Sequence, residues 1–180
     1  MIEALRLRAA HRDLRAALAA RQPRPLPPDP RQRTALVLLP TEDRALRETW
    51  ALIDRLDLPD RLLIPVHVGD QIGYAPDRFA GAVRGIGGDE HDWRRLPSRS
   101  ARSSIWTQRP DLALNLAAPS DLGAALLAGA SPAAVRIGIH DPEREACYDL
   151  MVGPEADPAA TVAAVERLLR RLDPPLVPFR

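Results

Sequence analysis

From Thr34 onward the chain alternates short unbroken apolar runs with longer stretches whose apolar residues recur every three or four positions. An unbroken run of four to eight residues suits a strand buried on both faces, and the wider spacing suits an amphipathic helix. Thr34 to Leu39 reads as the first strand, stopped by Pro40. Thr41 then offers a helix cap, Glu42 and Asp43 sit where the helix dipole favours carboxylates, and Leu46, Trp50, Ile53 and Leu56 form one face. Leu62 to Val68 is a second strand, and its Pro65 predicts an edge or an irregularity. A short strand is expected around Ala82 to Ile86, and a helix capped by Ser98 or Ser100 and ending near Gln108. Leu112 to Leu116, Pro119 to Gly129 and Val135 to Ile139 continue as strand, helix and strand, with a short apolar segment at Tyr148 to Val152. Asp157 followed by Pro158 opens a last helix with Val162, Val165, Leu168, Leu169 and Leu172 on its inner face.

This alternation predicts an α/β domain of three layers, Rossmann-like or flavodoxin-like, with a mostly parallel sheet of about five strands. Ahead of it, residues 2–22 read as a helix with a ragged apolar stripe (Ile2, Leu5, Ala9, Leu14, Ala17, Leu18). Pro23 to Pro30 reads as an extended spacer, so the helix is expected to stand as an arm. The organisation expected is a basic arm and spacer at 1–33, the α/β domain at 34–173 and a proline-rich tail at 174–180.

Charge refines this picture in two ways. The 25 basic and 24 acidic residues leave a net charge of +1, so no global field favours nucleic acid or membrane. Yet residues 1–33 hold eight arginines against three carboxylates, a local excess of five. All basic residues are arginine, which a GC-rich genome explains, and which excludes Schiff-base lysines and the phosphate-loop lysine. The lone Cys147 cannot form an internal disulfide, no apolar run approaches the roughly 20 residues of a membrane span, and no signal-peptide core is evident. A cytoplasmic location is expected.

Candidate chemistry is sparse. Gly85, Gly87 and Gly88 follow a late strand, whereas a dinucleotide fingerprint belongs at the first strand-to-helix turn; that turn has no glycine and two carboxylates. Asp89, Glu90, His91 and Asp92 are consecutive, and consecutive residues rarely converge on one ion, so a solvated loop is the better reading. No metal site and no cofactor are expected. Parallel sheets bind ligands at the carboxyl ends of their strands, which makes Thr41, His67, Asp70, Asn115, Ser120 and His140 the candidate wall of a site. Arg136, inside a strand, needs a partner and reads as a buried ion pair or an anion ligand. Cys147 has no base beside it in sequence and reads as a small core hydrophobe. On the arm, Arg6, Arg8, Arg12 and Arg15 are docking candidates.

Two resemblances run through these residues. The order of a basic N-terminal helix, TALVLLP, PDLALNL, AAVRIGI and YDLMV resembles a family of short bacterial proteins of unknown function. Its most specific part is Arg136-Ile137-Gly138 followed by Tyr148-Asp149-Leu150-Met151, with Trp93 the best anchor in the weaker 69–110 region. More distantly, Asp111 to Leu116, a helix, then Ala133 to Gly138 resembles the acceptor-side half of the lipopolysaccharide heptosyltransferases (glycosyltransferase family nine). That resemblance implies half of a GT-B fold. The glycine-containing first loop of those enzymes is missing here, and 180 residues leave no room for a donor domain.

The reading favoured by the sequence is a non-enzymatic interaction domain with a basic docking helix, whose partner is a protein, RNA or an anionic membrane surface. The alternatives are a small enzyme or ligand-binding domain acting on a sugar or nucleotide at the strand ends, and a homodimer formed through the N-terminal helix.

Overall fold

The computed structural model describes residues 2–172 apart from 23, 30, 31, 56–62, 70–72, 80, 154 and 156. Its elements run in chain order α1 (Ile2–Ala19), β1 (Ala35–Leu38), α2 (Asp43–Arg55), β2 (Leu63–Val68), β3 (Arg84–Ile86), α3 (Arg99–Trp106), β4 (Leu112–Asn115), α4 (Leu122–Gly129), β5 (Val135–Ile139), β6 (Leu150–Val152) and α5 (Pro158–Leu172). The expected alternation is present, with six strands rather than about five. The segment at Tyr148 to Val152 supplies the sixth as β6, paired in parallel with β5 from Ile137 opposite Leu150 to Ile139 opposite Val152.

All neighbouring strands are parallel, in the order β3-β2-β1-β4-β5-β6. This is the doubly wound Rossmann order, and it reverses direction between β1 and β4. Pro65 fits because β3 pairs only with Val66 to Val68, so the proline lies outside that ladder while β2 still pairs with β1.

The pleat sorts the central strands onto two cores. Ala35, Val37, Leu112 and Leu114 face α2 and α5, where Leu46, Trp50, Ile53, Val162, Val165 and Leu169 are buried. Trp50 stacks on Phe79 at 5.0 Å between ring centroids and donates its indole N–H to the Tyr74 carbonyl. Leu36, Leu38, Ile64, Val66 and Ala113 face the other way, toward α1, α3 and α4. Every residue of α4 after Leu122 is buried, consistent with its alanine-, leucine- and glycine-rich sequence having no polar face.

Helix starts follow local chemistry. Ser98 caps α3 and Asp121 caps α4 through side-chain oxygens, and the Asp157 carboxylate accepts the Ala159 N–H ahead of α5. At α2 the cap is Glu42 rather than Thr41. Its two carboxylate oxygens accept the Arg44 and Ala45 amides, one each, which satisfies two orphan donors of the first turn.

The N-terminal helix packs against α4, on the face of the sheet that α3 and α4 cover. Ala10 and Leu14 enter the core, with Ala17 and Leu18 packed beside them against α4 and its neighbours. Asp13 pairs with Arg94. The first part of the expected stripe is not used, since Ile2 and Leu5 are 69% and 55% exposed. The buried face is set instead by the small Ala10 and Ala17, which allow close approach.

This packing predicts an asymmetry along α1. Leu14→Ala should destabilise the whole domain by about 2–3 kcal/mol, the cost of a truncated core leucine near the edge of a layer. Ile2→Ala should change stability by less than about 0.5 kcal/mol. Urea unfolding midpoints of the two variants check this, and equal midpoints would contradict it.

Candidate functional site

The residues expected at the strand ends separate into different environments. Thr41 is exposed at the end of β1, Ser120 is exposed in the turn before α4, and Asp70 falls outside the described residues. His67 is 3% exposed, and its Nδ1 is buried without a hydrogen bond. The close turn after it requires Gly69, whose φ is +154° and where a Cβ would lie 2.9 Å from His67 Nε2. His140 stands outside at the end of β5, 3.2 Å from Glu145. Its neighbour Asp141 pairs with Arg144.

Asn115 and Arg136 belong to one interlock that also accounts for Gly138, Tyr148 and Asp149. Arg136 Nε and Nη2 donate to Asp149 Oδ2 and Oδ1 at 3.0 and 2.7 Å, and Nη1 donates to the Gly129 carbonyl at 2.7 Å. A cation at the last carbonyls of α4 also suits the helix dipole. The backbone joins in, with the Arg136 amide donating to Asp149 Oδ2 and the Asp149 amide to the Arg136 carbonyl. Next along β5, Gly138 leaves space for the Tyr148 ring, because a Cβ there would lie 2.5 Å from a ring carbon. The Tyr148 hydroxyl in turn accepts the Asn115 side-chain N–H at 2.6 Å, and Asn115 Oδ1 accepts the Ala117 amide. Arg136 is therefore engaged structurally, as the ion-pair alternative expects, and is closed to an outside anion.

Arg21 extends the interlock to the C-terminal side of α1. Its guanidinium donates to the Ser131 and Ala133 carbonyls and lies 3.6 Å from Asp149. Burial alone would raise the Asp149 carboxyl, but the hydrogen bonds and charge of Arg136, with Arg21 behind it, outweigh burial and hold it below its ordinary value. Burial pushes the Cys147 thiol up to about 11 and the Tyr148 hydroxyl up to about 12, so neither is ionised near neutrality. Cys147 is thus the inert core residue expected from sequence.

At the β1/β4 switch point there is a cleft of about 180 Å³ between the N-terminal ends of α2 and α5. Its walls are mostly apolar, including Pro40, Leu116, Ile139 and Val162, with Thr41, Thr49 and Thr161 adding hydroxyls and Glu42 and Glu155 carboxylates. Both helix starts carry their own carboxylates, Glu42 on α2 and Asp157 on α5. The Ala45 and Arg44 amides that donate to Glu42 keep its carboxyl below the ordinary range. Phosphate is therefore disfavoured here, and the volume is below the roughly 300 Å³ at which sites for drug-sized ligands begin. Neither His67 nor His140 lines this cleft.

A larger feature lies at the opposite end of the sheet. The end of α1, α3 with its exit and the turn after α4 enclose an open groove of about 1040 Å³. Arg21, Arg24, Arg99, Arg102 and Arg109 line it together with Trp106. Arg24 donates to the Arg109 carbonyl at 2.9 Å and lies 3.6 Å from Asp111. Arg99, Arg102 and Arg109 have no ion-pair partner within 4 Å among the described residues. Arg102 Nε is buried without a hydrogen bond, and burial lowers the pKa of that guanidinium.

The sequence expectation places the basic excess on the N-terminal helix alone and so does not include this groove. The signal was available: residues 94–109 contain five arginines and no carboxylate. Of the docking candidates, Arg8, Arg12 and Arg15 are exposed on α1, while Arg6 lies 3.6 Å from Glu3 with its Nε buried. The glycines 85, 87 and 88 lie in β3 and the 3-10 turn after it, away from the switch point. In the acidic loop, Glu90 pairs with Arg84 and Asp92 with Arg94, and no group of three or more His, Cys, Asp or Glu side chains among the described residues could hold a metal ion.

Strand order, switch-point cleft and interlock together define a doubly wound α/β domain whose nucleotide position is not built for phosphate. No family model, no curated protein and no solved structure matches the chain. No helix among the described residues is long and apolar enough to cross a membrane.

The interlock carries a pH signature. A carboxyl depressed in the folded state contributes stability that is complete near neutrality and is lost as pH falls through its folded value. Asp149→Asn should cost on the order of 2–3 kcal/mol at pH 7, because it leaves Arg136 buried without its counter-charge while the partly exposed carboxylate limits the loss. The variant should then lose less further stability than the wild type between about pH 5 and pH 2. Urea midpoints across that range measure it, and parallel pH profiles for the two proteins would contradict it.

Proposed function

We propose that the protein is a non-catalytic docking domain that holds a polyanionic partner against the face built from α1 and α3. The observation that carries this reading is the segregation of charge. The eight arginines of residues 1–33 and the five of residues 94–109 belong to segments whose helices cover the same side of the sheet. The remaining segments hold twelve arginines against twenty-one carboxylates, so the basic excess of a near-neutral chain is concentrated in these two segments. Such a face attracts anions locally and confers an on-rate and a salt dependence that the net charge hides.

The strand ends lend no comparable support to catalysis. Their polar groups are committed to Tyr148, Glu145 and Asp149 or are dispersed, and a general base needs a partner within hydrogen-bond reach of a substrate position. The finer parts of the reading, a cytoplasmic location and membership of the bacterial family that carries the R-x-G and YDLM motifs, fit with this role and remain part of the proposal.

Heparin chromatography tests the docking reading. The protein should be retained at low salt and released as ionic strength rises, and Arg8→Gln, Arg12→Gln and Arg15→Gln combined should move release to lower salt without altering the circular dichroism spectrum. A His140→Ala control should behave as wild type. Flow-through of the wild type at low salt would overturn the proposal.

A further inference from the structure

We infer that the groove between α1, α3 and the turn after α4 is a binding site for single-stranded nucleic acid. The inference rests on the docking reading and narrows it to one site and one class of partner.

Three properties of the groove point to such a partner. The first is unmet donor capacity. Arg99, Arg102 and Arg109 line the groove without ion-pair partners among the described residues, whereas Arg21 and Arg24 are tied into the fold and act as its fixed wall. Arg99 and Arg102 are one helical turn apart, so their side chains leave α3 about 5–6 Å from one another at Cβ. Two guanidiniums so placed can take adjacent phosphates, and a guanidinium matches phosphate oxygens with paired N–H donors.

The second property is the condition of Arg102. Its Nε is buried with no acceptor, and its charge is partly desolvated. Holding a guanidinium partly out of water without a counter-charge is costly, and an anion seated against it would offset that cost.

The third is a fixed aromatic plane under that cation. Trp106 donates its indole N–H to the Leu127 carbonyl of α4 at 3.1 Å, which holds the ring in orientation, and the Arg102 guanidinium lies 5.9 Å from its centroid. Guanidinium and aromatic planes are the two surfaces on which unstacked bases are received, whatever their identity. The backbone at the exit of α3 also conforms to this arrangement. Arg109 has φ of 54°, an uncommon conformation for a residue with a side chain, and it is held there by the hydrogen bond its N–H donates to the Trp106 carbonyl and by the one Arg24 donates to its own carbonyl.

These features favour a flexible single strand over other polyanions. A lipid bilayer presents a flat surface to a concave groove. A duplex keeps its bases stacked inside and has none to offer to Trp106. An acidic peptide could meet the arginines but has no use for the Arg102–Trp106 pair.

The experiment uses the full chain, with fluorescein-labelled dodecamers of uridine as the single strand, a matched RNA duplex, a polyglutamate peptide and heparin. Single-strand affinity should exceed duplex and polyglutamate affinity at least tenfold. The slope of log K against log salt should be about −2 for three arginine–phosphate contacts, and each of Arg99→Gln, Arg102→Gln and Arg109→Gln should make it shallower by about 0.7. In a Trp93→Phe background, where Trp106 is the tryptophan nearest the groove, the oligonucleotide should quench tryptophan emission and heparin should not. Quenching requires no variant at Trp106, so loss of folding cannot mimic it.

Heparin binding with no single-strand preference, no quenching, or groove variants that bind as wild type would overturn the inference while leaving the docking reading intact. Preferential binding of polyglutamate would overturn it in favour of an acidic protein partner. Failure of every polyanion, heparin included, would remove both.

Discussion

Arg136 places a guanidinium inside β5, where transfer out of water costs several kcal/mol unless its donors are met in good geometry. Asp149 meets two of them and the last carbonyl of α4 a third, and the same carboxylate draws in Arg21 from the end of α1. One ion pair therefore touches the fifth strand, the segment leading into the sixth, the fourth helix and the N-terminal helix. Isolated ion pairs contribute little to stability, but this one fixes geometry because its partners come from four separate places along the chain. Gly138 and Tyr148 complete it by a steric device: a missing Cβ admits a ring whose hydroxyl then orients Asn115. The R-x-G and Tyr-Asp pair that the sequence presents as a motif is thus one packed object.

That object determines what the two ends of the sheet can do. Asn115 and Arg136 are spent on the interlock, so the strand ends retain a small apolar cleft whose neighbouring helix starts are capped by carboxylates. At the other end, Arg21 anchors the end of α1 beside the turn after α4, and this leaves a groove between α1 and α3. Arg99, Arg102 and Arg109, which have no ion-pair partner among the described residues, line that groove. In this chain the usual ligand position of a doubly wound sheet is chemically quiet, and the opposite end is charged.

The fold was legible because its central strands are buried on both faces and its helices on one. TALVLL and VRIGI can be neither helix nor solvated loop at their lengths, and Asp157-Pro158 marks a helix start by backbone chemistry alone. β6 was harder to read, since three residues at a sheet edge give too short an apolar run to separate from a loop. The role of α1 was hidden by its composition. Alanines such as Ala10 contribute little to an apolar pattern yet pack most closely, while the conspicuous Ile2 and Leu5 stay in water. The site was less legible still, because a groove depends on two helices separated by some eighty residues being laid side by side. Only the carboxylate-free run from Arg94 to Arg109 hinted at it.

The account depends on α1 being mounted on the sheet and not swinging free of it. Amide hydrogen exchange along residues 10–19 measures this most directly. Protection there should approach that of α4 in the wild type, and Arg21→Ala should lower it selectively in α1 while α4 stays protected. Rapid exchange throughout α1 in the wild type, or an α1 whose protection ignores Arg21, would contradict the account.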